Sequence, residues 1–188
     1  KLGYIIIDEQ HKFGVRQRKL LSDKGGRNCD ILLMSATPIP RTLTMSIYGD
    51  MDVSIIKEKP KHRKEVKTYS KLENKIDDVI NFVTKEIKEG NQVFWVCPLI
   101  EESKKLDHQS SVKKFKFLDK LFPNRVGLLH GKIDNEEKDI ILNKFLNKNY
   151  LILVSTTIIE VGIDFPNANV IVIENANKFG LSQLHQLR

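Results

Sequence analysis

The chain has 188 residues, of which 40% are hydrophobic and 29% charged, a balance typical of a soluble globular protein with one domain or two small ones. The formal net charge of +7 favours acidic partners, nucleic acid foremost, although a lysine-rich composition has the same effect without functional meaning. No apolar run approaches the roughly 18–20 residues that a membrane span requires, which argues against a membrane partner.

Two continuous apolar runs, Tyr4–Ile7 and residues 31–34, predict buried strands of the kind found in parallel sheets covered on both faces. A polar, basic stretch at 12–24 separates them and leads to the turn-forming Gly25. This part of the chain therefore resembles the beginning of an α/β domain.

Paired prolines follow the second strand and predict an extended loop, because they forbid a regular helix at 37–40. A short helix is expected at 41–48. The charged segment 57–67 contains a proline and predicts a connector, more readily a solvated linker than a DNA contact. The domain boundary is therefore expected near Pro60.

Beyond the connector, strand patterns alternate with helix patterns. Strands are predicted at 66–69, 92–97, Val126–Leu129, 151–155 and Val170–Ile173, and helices at 74–88, 112–121, Asn135–Leu146 and 181–188. Such alternation indicates βαβ units and a parallel, doubly wound sheet, here of five or six strands. Trp95 lies in one of these strands and is expected to pack in the core. Cys29 and Cys97 are far apart, which argues against a zinc site and indicates a reducing compartment such as the cytoplasm.

Asp8 and Glu9 follow the first apolar strand directly. A nucleoside-triphosphate enzyme needs one carboxylate for Mg²⁺ and another that orients the attacking water. The alternative is a solvated strand end. No G-x-x-x-x-G-K-[ST] phosphate loop accompanies the pair, since Ile133 follows Gly131 and Lys132 where Ser or Thr would hold the metal.

Hydroxyl residues end two further strands. Ser35 and Thr37 follow the second strand, in a loop that could equally be a proline-rich turn with hydroxyl caps. The sequence STTIIEVGIDFP begins at Ser155, and the segment QLHQLR ends the chain. Ligands bind at the carboxyl ends of the strands in open parallel sheets, so these motifs are candidate site residues.

In order and spacing, the four motifs resemble superfamily 2 helicases: DEQH matches motif II, SATPIPRT motif III, STTIIEVGIDFP motif V, and QLHQLR the start of motif VI. The blocks DEQHKFGV, WVCPLIEES and FGLSQLHQLR, together with Glu174 and Asn175, are similar to one branch of that superfamily, the branch-migration helicases. The alternative branch, the transcription-repair coupling translocases, shares motifs III, V and VI.

The resemblance implies an α/β architecture, the RecA-like P-loop NTPase fold with parallel doubly wound sheets. Residues 1–59 would be the C-terminal part of the first lobe, and residues 60–188 most of the second. The implied cofactors are ATP and Mg²⁺. The implied partners are double-stranded and branched DNA, meaning forks and Holliday junctions, for a parent enzyme that acts as a monomer.

The resemblance also implies roles for individual residues. Asp8 would be the Mg²⁺ ligand and Glu9 the catalytic base. Nucleotide contacts and coupling between the lobes would fall to Gln10, His11, Ser35, Thr37, Gly162, Asp164 and Gln186. DNA phosphate contacts would fall to Gly131, Lys132, Thr156 and Thr157.

By the same resemblance, the phosphate-binding lysine of motif I would precede residue 1, and the arginine finger of motif VI would follow Arg188. The polypeptide alone is therefore expected not to hydrolyse ATP. Two other classes stay open at this stage. One is a metal-dependent hydrolase that uses Asp8, Glu9 and His11, and the other is a non-catalytic nucleic-acid-binding module.

Overall fold

Two compact units, Lys1–Lys64 and Glu65–Arg188, make up the computed structural model. The structure describes residues 2–9, 15–25, 29–35, 52–56, 58, 65–98, 104–156 and 165–187. Both units combine helices with parallel strands, which confirms the predicted α/β class. None of the described helices is long and apolar enough to cross a membrane.

The first unit contains a two-stranded parallel sheet. Strand β1 (Tyr4–Ile7) pairs with strand β2 (Asp30–Leu33), and helix α1 (Val15–Gly25) connects them. Alternation along β1 buries Ile5 and Ile7 on one face, whereas Ile6 on the other face is 57% exposed. Within the described residues, this sheet is therefore covered on one face only.

Helix α1 corrects the sequence analysis, which left residues 12–24 as a polar stretch without an element. The helix carries few apolar residues, so its sequence gives only a weak helical periodicity. Its last residue, Gly25, is buried, and a Cβ there would come within 2.5 Å of both Cβ and Sγ of Cys29. The absence of a side chain lets the end of α1 approach the start of β2.

The second unit contains a four-stranded sheet in the described residues. Its elements are a 3₁₀ turn at Glu73–Lys75, α2 (Ile76–Lys88), β3 (Val93–Val96), α3 (Lys104–Leu121), β4 (Val126–Leu129), α4 (Asn135–Leu146), β5 (Ile152–Ser155), β6 (Val170–Ile173), a 3₁₀ turn at Ala176–Lys178, and α5 (Leu181–Leu187). The strand order is β4-β5-β3-β6, and all three pairings are parallel.

Helices cover both faces of this sheet, as the doubly wound prediction requires. On one face, Val83 of α2 and Leu118 of α3 pack with Trp95, which is fully buried, as predicted. On the other face, Phe145 of α4 packs with Leu153, and its ring lies 5.1 Å from that of Phe94. Successive residues of β3 thus belong to opposite cores, which explains why its sequence is a continuous apolar run.

Four elements, β1, β4, α4 and β6, have the predicted bounds, and α3 begins earlier than predicted. The strand predicted at 66–69 is wrong, because these residues form no strand in the structure. Val66 and Tyr69 are 40% and 76% exposed, and the polar residues around them offer too little apolar surface to bury. The helix predicted at 41–48 and most of the connector at 57–67 lie outside the described residues.

We expect the amides of β1 and β2 to exchange with solvent at least about tenfold faster than those of β3 and β5, because a two-stranded sheet with one exposed face is marginal. Hydrogen exchange of the 188-residue chain, read by mass spectrometry, measures this difference. Equal protection of both pairs of strands would contradict the division into one weak and one strong unit.

Candidate functional site

Polar residues meet at the carboxyl edge of the first unit's sheet. Asp8 and Glu9 follow β1, and Ser35 lies two residues after β2; the backbone N–H of Met34 donates to the carbonyl of Ile7 at 2.8 Å and holds these strand ends together. The Glu9 N–H donates to Asp8 Oδ1 at 2.8 Å. Glu9 also has a left-handed backbone (φ 50°), a conformation that costs energy in a residue with a Cβ.

The Asp8 carboxylate fits a role in holding Mg²⁺. The side chain is exposed and its second oxygen is not used in the bond from Glu9. Within the described residues, no group of three or more His, Cys, Asp or Glu side chains could hold a metal ion. Mg²⁺ commonly binds through one or two carboxylates together with substrate phosphates, and there it neutralises the charge that develops in phosphoryl transfer. A single exposed carboxylate therefore suits Mg²⁺ bound with a nucleotide.

The second unit also gathers polar residues at a carboxyl edge. Cys97, His130, Thr156 and Glu174 each follow one of its four strands, and all of these strands point the same way. The Cys97 N–H donates to the Ser155 carbonyl at 2.8 Å, which holds the ends of β3 and β5 in register. This edge is where an open parallel sheet binds its ligands.

Two hydroxyl groups at this edge are buried without a hydrogen-bond partner in the part of the chain that the structure describes. Ser155 is fully buried and Thr156 is 2% exposed, and neither side-chain oxygen is satisfied. A buried hydroxyl without a partner costs about 1–3 kcal/mol. An ordered water or a functional role commonly explains a buried hydroxyl of this kind.

The turn between β4 and α4 is an exposed part of this edge. Gly131 and Lys132 are exposed, and the Lys132 N–H donates to His130 Nδ1 at 3.3 Å. Asp134 caps α4 by accepting from the Glu137 N–H at 2.8 Å. Since acidic residues occupy the first turn of α4, an anion near this turn would depend on the Lys132 ammonium rather than on the helix dipole.

An ion pair that no sequence pattern predicts lies at the same edge. Lys114 Nζ of α3 is 2.6 Å from Glu174 Oε1, and both side chains are about one-fifth exposed, at 21% and 20%. The Cys97 thiol donates to Glu174 Oε2 at 3.7 Å. Burial raises the pKa of this thiol to about 12, and the Glu174 carboxylate adds to the rise while Lys114 opposes it.

The last described helix carries the start of motif VI. Gln183 closes its first turn, since the Gly180 N–H donates to Gln183 Oε1 at 3.0 Å. Gln186 lies on the same helix and is exposed.

Several predicted site residues cannot be placed. These residues belong to motifs II, III and V, and they lie outside the described residues: Gln10, His11, Thr37, Thr157, Gly162 and Asp164. The structure therefore brings Asp8 and Glu9 to the sheet edge that bears Ser35. At the edge of the other sheet it places Thr156, Gly131 and Lys132. The roles of all these residues stay predictions.

A cavity of about 390 Å³ opens away from these motifs, at the amino end of β4. Its lining includes Val126, the first residue of that strand, and Tyr150, which precedes β5. The cavity therefore has no part in the candidate site.

A family model described as the helicase conserved C-terminal domain matches residues 74–188. The match covers more than half of the chain and includes every described element of the second unit from α2 onward. The chain therefore belongs to the helicases that share this C-terminal domain.

The full length of the chain is also similar to curated proteins called ATP-dependent DNA helicase RecG. It is 53% identical to the Thermotoga maritima protein and covers 24% of it. It is 50% identical to the Bacillus subtilis protein and covers 28% of it, and 56% identical to the Aquifex aeolicus protein, with 24% covered. The chain thus spans about a quarter of the length of these relatives. The finer motifs of this chain resemble those of RecG, and these matches confirm that resemblance.

Solved helicase structures share the fold. S. cerevisiae Dbp5 bound to RNA and ADP BeF3 aligns with a TM-score of 0.60 at 19% identity, over 92% of this chain and 45% of that one. Mycobacterium smegmatis helicase Lhr bound to ssDNA and AMP-PNP aligns with a TM-score of 0.53 at 17% identity, over 90% of this chain and 24% of that one. At such identities the likeness concerns the fold alone, and it confirms the RecA-like assignment.

We expect the Cys97 thiol to react with a thiol reagent at neutral pH at least about 100-fold more slowly than the half-buried Cys29, because reaction at Cys97 requires opening of the core. The absorbance released from a chromogenic disulfide, followed over time, measures the reaction rates of the two thiols in native protein. The same reaction in denatured protein gives the rates of the fully exposed thiols. Cys29→Ser should remove the fast phase, and Cys97→Ala should leave it unchanged. Rapid reaction of both thiols in native protein would contradict the buried position of Cys97.

Proposed function

We propose that this chain is part of the motor of an ATP-dependent DNA helicase. The whole enzyme translocates on double-stranded DNA, remodels stalled forks and branch-migrates Holliday junctions in recombination and repair. Residues 1–59 contribute the C-terminal part of its first RecA-like lobe, and residues 60–188 contribute most of its second. We include Mg²⁺ as cofactor, a cytoplasmic location and a monomeric parent enzyme in the proposal.

One observation carries this proposal: the adjacent carboxylates of Asp8 and Glu9 lie at the carboxyl edge of a parallel sheet, in a chain that matches RecG helicases along its full length. An exposed aspartate beside a half-buried glutamate supplies two of the groups that phosphoryl transfer needs. One holds the metal, and the other orients and deprotonates the attacking water.

The charge distribution supports contact with the DNA backbone. The chain carries a net charge of +7, and the exposed turn with Gly131 and Lys132 presents an ammonium group at the carboxyl edge of the second unit. Contacts to phosphate carry no sequence information, which suits an enzyme that moves along DNA of any sequence. Thr156 is 2% exposed, so in this arrangement a phosphate would reach Lys132 more easily than Thr156.

A transcription-repair coupling translocase remains the second candidate, since it would use the same motifs III, V and VI. The full-length matches to proteins named RecG favour the first candidate. A non-catalytic DNA-binding module would not require Asp8 and Glu9, the carboxylate pair that follows β1. A metal-dependent hydrolase would bind metal without nucleotide, and the described residues offer no three-ligand site for it.

In the full-length protein that carries this segment, Glu9→Gln should lower the rate of ATP hydrolysis by about 10²–10⁴-fold, because a positioned general base contributes that much. Nucleotide affinity should change little, since the amide keeps the shape of the side chain. DNA-stimulated phosphate release and binding of a fluorescent ATP analogue measure the two effects.

Asp30→Asn is the matched control for this substitution. Asp30 is an exposed carboxylate at the amino end of β2, away from the carboxyl edge, so its loss should leave turnover unchanged. If Glu9→Gln hydrolysed ATP at the wild-type rate, Glu9 would not be the catalytic base. If the wild-type protein did not hydrolyse ATP, the proposed function would be wrong.

DNA affinity should fall with salt along a slope of about −0.9 per phosphate contact in a plot of log affinity against log salt concentration. If Lys132 makes one such contact, Lys132→Ala should flatten the slope by about one unit. Fluorescence anisotropy of fork and linear duplexes across a salt series measures it. Lys88→Ala, at the exposed end of α2, is the control. An unchanged slope for Lys132→Ala would exclude the contact.

A further inference from the structure

The Lys114–Glu174 pair differs from the other ion pairs among the described residues. Its atoms are 2.6 Å apart and its side chains are about four-fifths buried. The pairs Lys71–Asp78 and Lys85–Glu89 have separations of 3.8 and 3.9 Å, and their side chains are more than half exposed. Exposed pairs of that kind contribute little to stability, whereas a mostly buried pair fixes the positions of both partners.

The surroundings leave each charged group one favourable position. Lys114 Nζ lies 5.4 Å from the centre of the Trp95 ring and 5.1 Å from that of Phe117, so two aromatic faces support the ammonium. The second oxygen of Glu174 accepts from the Cys97 thiol at 3.7 Å. Side chains from β3, α3 and the end of β6 therefore converge on one ion pair.

Glu174 stands where the chain leaves β6 for the helix that carries motif VI. Strand β6 is one of the two edge strands of the described sheet, and the Glu174 N–H donates to the Val96 carbonyl at 2.9 Å. Asn175 then takes a left-handed backbone (φ 48°), and a 3₁₀ turn and the buried Phe179 lead into α5. The direction of α5, which carries Gln186, is therefore set within a few residues of Glu174.

We propose that Lys114 and Glu174 are positioning residues for ATP turnover: their ion pair fixes the segment 174–180 against α3 and so sets the placement of α5 and motif VI. Neither residue touches the nucleotide in this proposal. The inference rests on the proposed function, because it assigns the pair a role in the same hydrolysis. It extends that function to a contact between two residues that are 60 positions apart in the chain and lie outside motifs II, III, V and VI.

The test uses the full-length protein with Lys114→Met and Glu174→Gln, each close in size to the residue it replaces. Displacement of a group that acts in the transition state lowers kcat, so kcat for DNA-stimulated ATP hydrolysis should fall about tenfold while KM for ATP changes less than about threefold. Amide exchange within α5 should become faster in both variants. The double variant should be no worse than the single ones, because the two residues act through one contact.

Two further variants separate positioning from general stability. Lys114→Arg keeps the charge and the aromatic contacts, so it should retain kcat within about threefold of wild type. Lys85→Met removes an exposed ion pair and should change neither kcat nor exchange in α5. All assays run below the melting temperature of each variant. If Lys114→Met does not fold, Glu174→Gln alone serves as the test. Its amide keeps an acceptor oxygen, so this variant is the milder of the two.

An unchanged kcat in folded Glu174→Gln would overturn the inference, and so would a fall in kcat without faster exchange in α5. Either result would leave the proposed function intact, because the wild-type enzyme would still hydrolyse ATP. Absence of DNA-stimulated hydrolysis in the wild-type protein would instead count against the proposed function itself.

Discussion

The common direction of the strands is the constraint on which this structure depends. Because every described pairing is parallel, the carboxyl ends within each sheet lie at one edge, and the residues that follow them become neighbours. Asp8 and Ser35 meet in this way in the first unit, and Thr156 and His130 share an edge in the second. An antiparallel pairing would send alternate motifs to opposite edges. Parallel pairing therefore explains why residues that are far apart in the chain lie at the same edge of a sheet.

The polar side chains at the two carboxyl edges differ in how deeply they are buried. In the first unit, the Asp8 side chain is exposed to solvent and the Glu9 side chain is half-buried. Both carboxylates can therefore be reached from solvent. In the second unit, the side chains of Lys114 and Glu174 are mostly buried, and the low polarity around them strengthens their interaction. Buried polar groups of this kind need fixed partners, and they hold the ends of the strands in one arrangement.

The sequence predicted the parts of the fold that depend on local patterns. The apolar runs of β4 and β6 gave the observed bounds, because polar residues flank each run on both sides. Helix α1 was missed because its few apolar residues give no strong period. The pair of Lys114 with Glu174 could not be predicted, since it exists only because β6 lies beside β3 in the sheet. The carboxylates of motif II were accessible to sequence reasoning because they directly follow their strand.

Strand β3 lies inside the sheet, between β5 and β6, although both of these strands come later in the chain. Gln92, just before β3, donates its side-chain amide to the carbonyl of Phe145, 53 residues further on. The centre of this unit therefore consists of contacts between residues that are far apart in the chain. Such contacts form slowly during folding, because long loops must close first. During synthesis, β3 leaves the ribosome well before its neighbours, stays unpaired until β5 has emerged, and keeps one open edge until β6 follows. The second unit is thus expected to depend on chaperones, or on rapid translation, more than its modest size suggests.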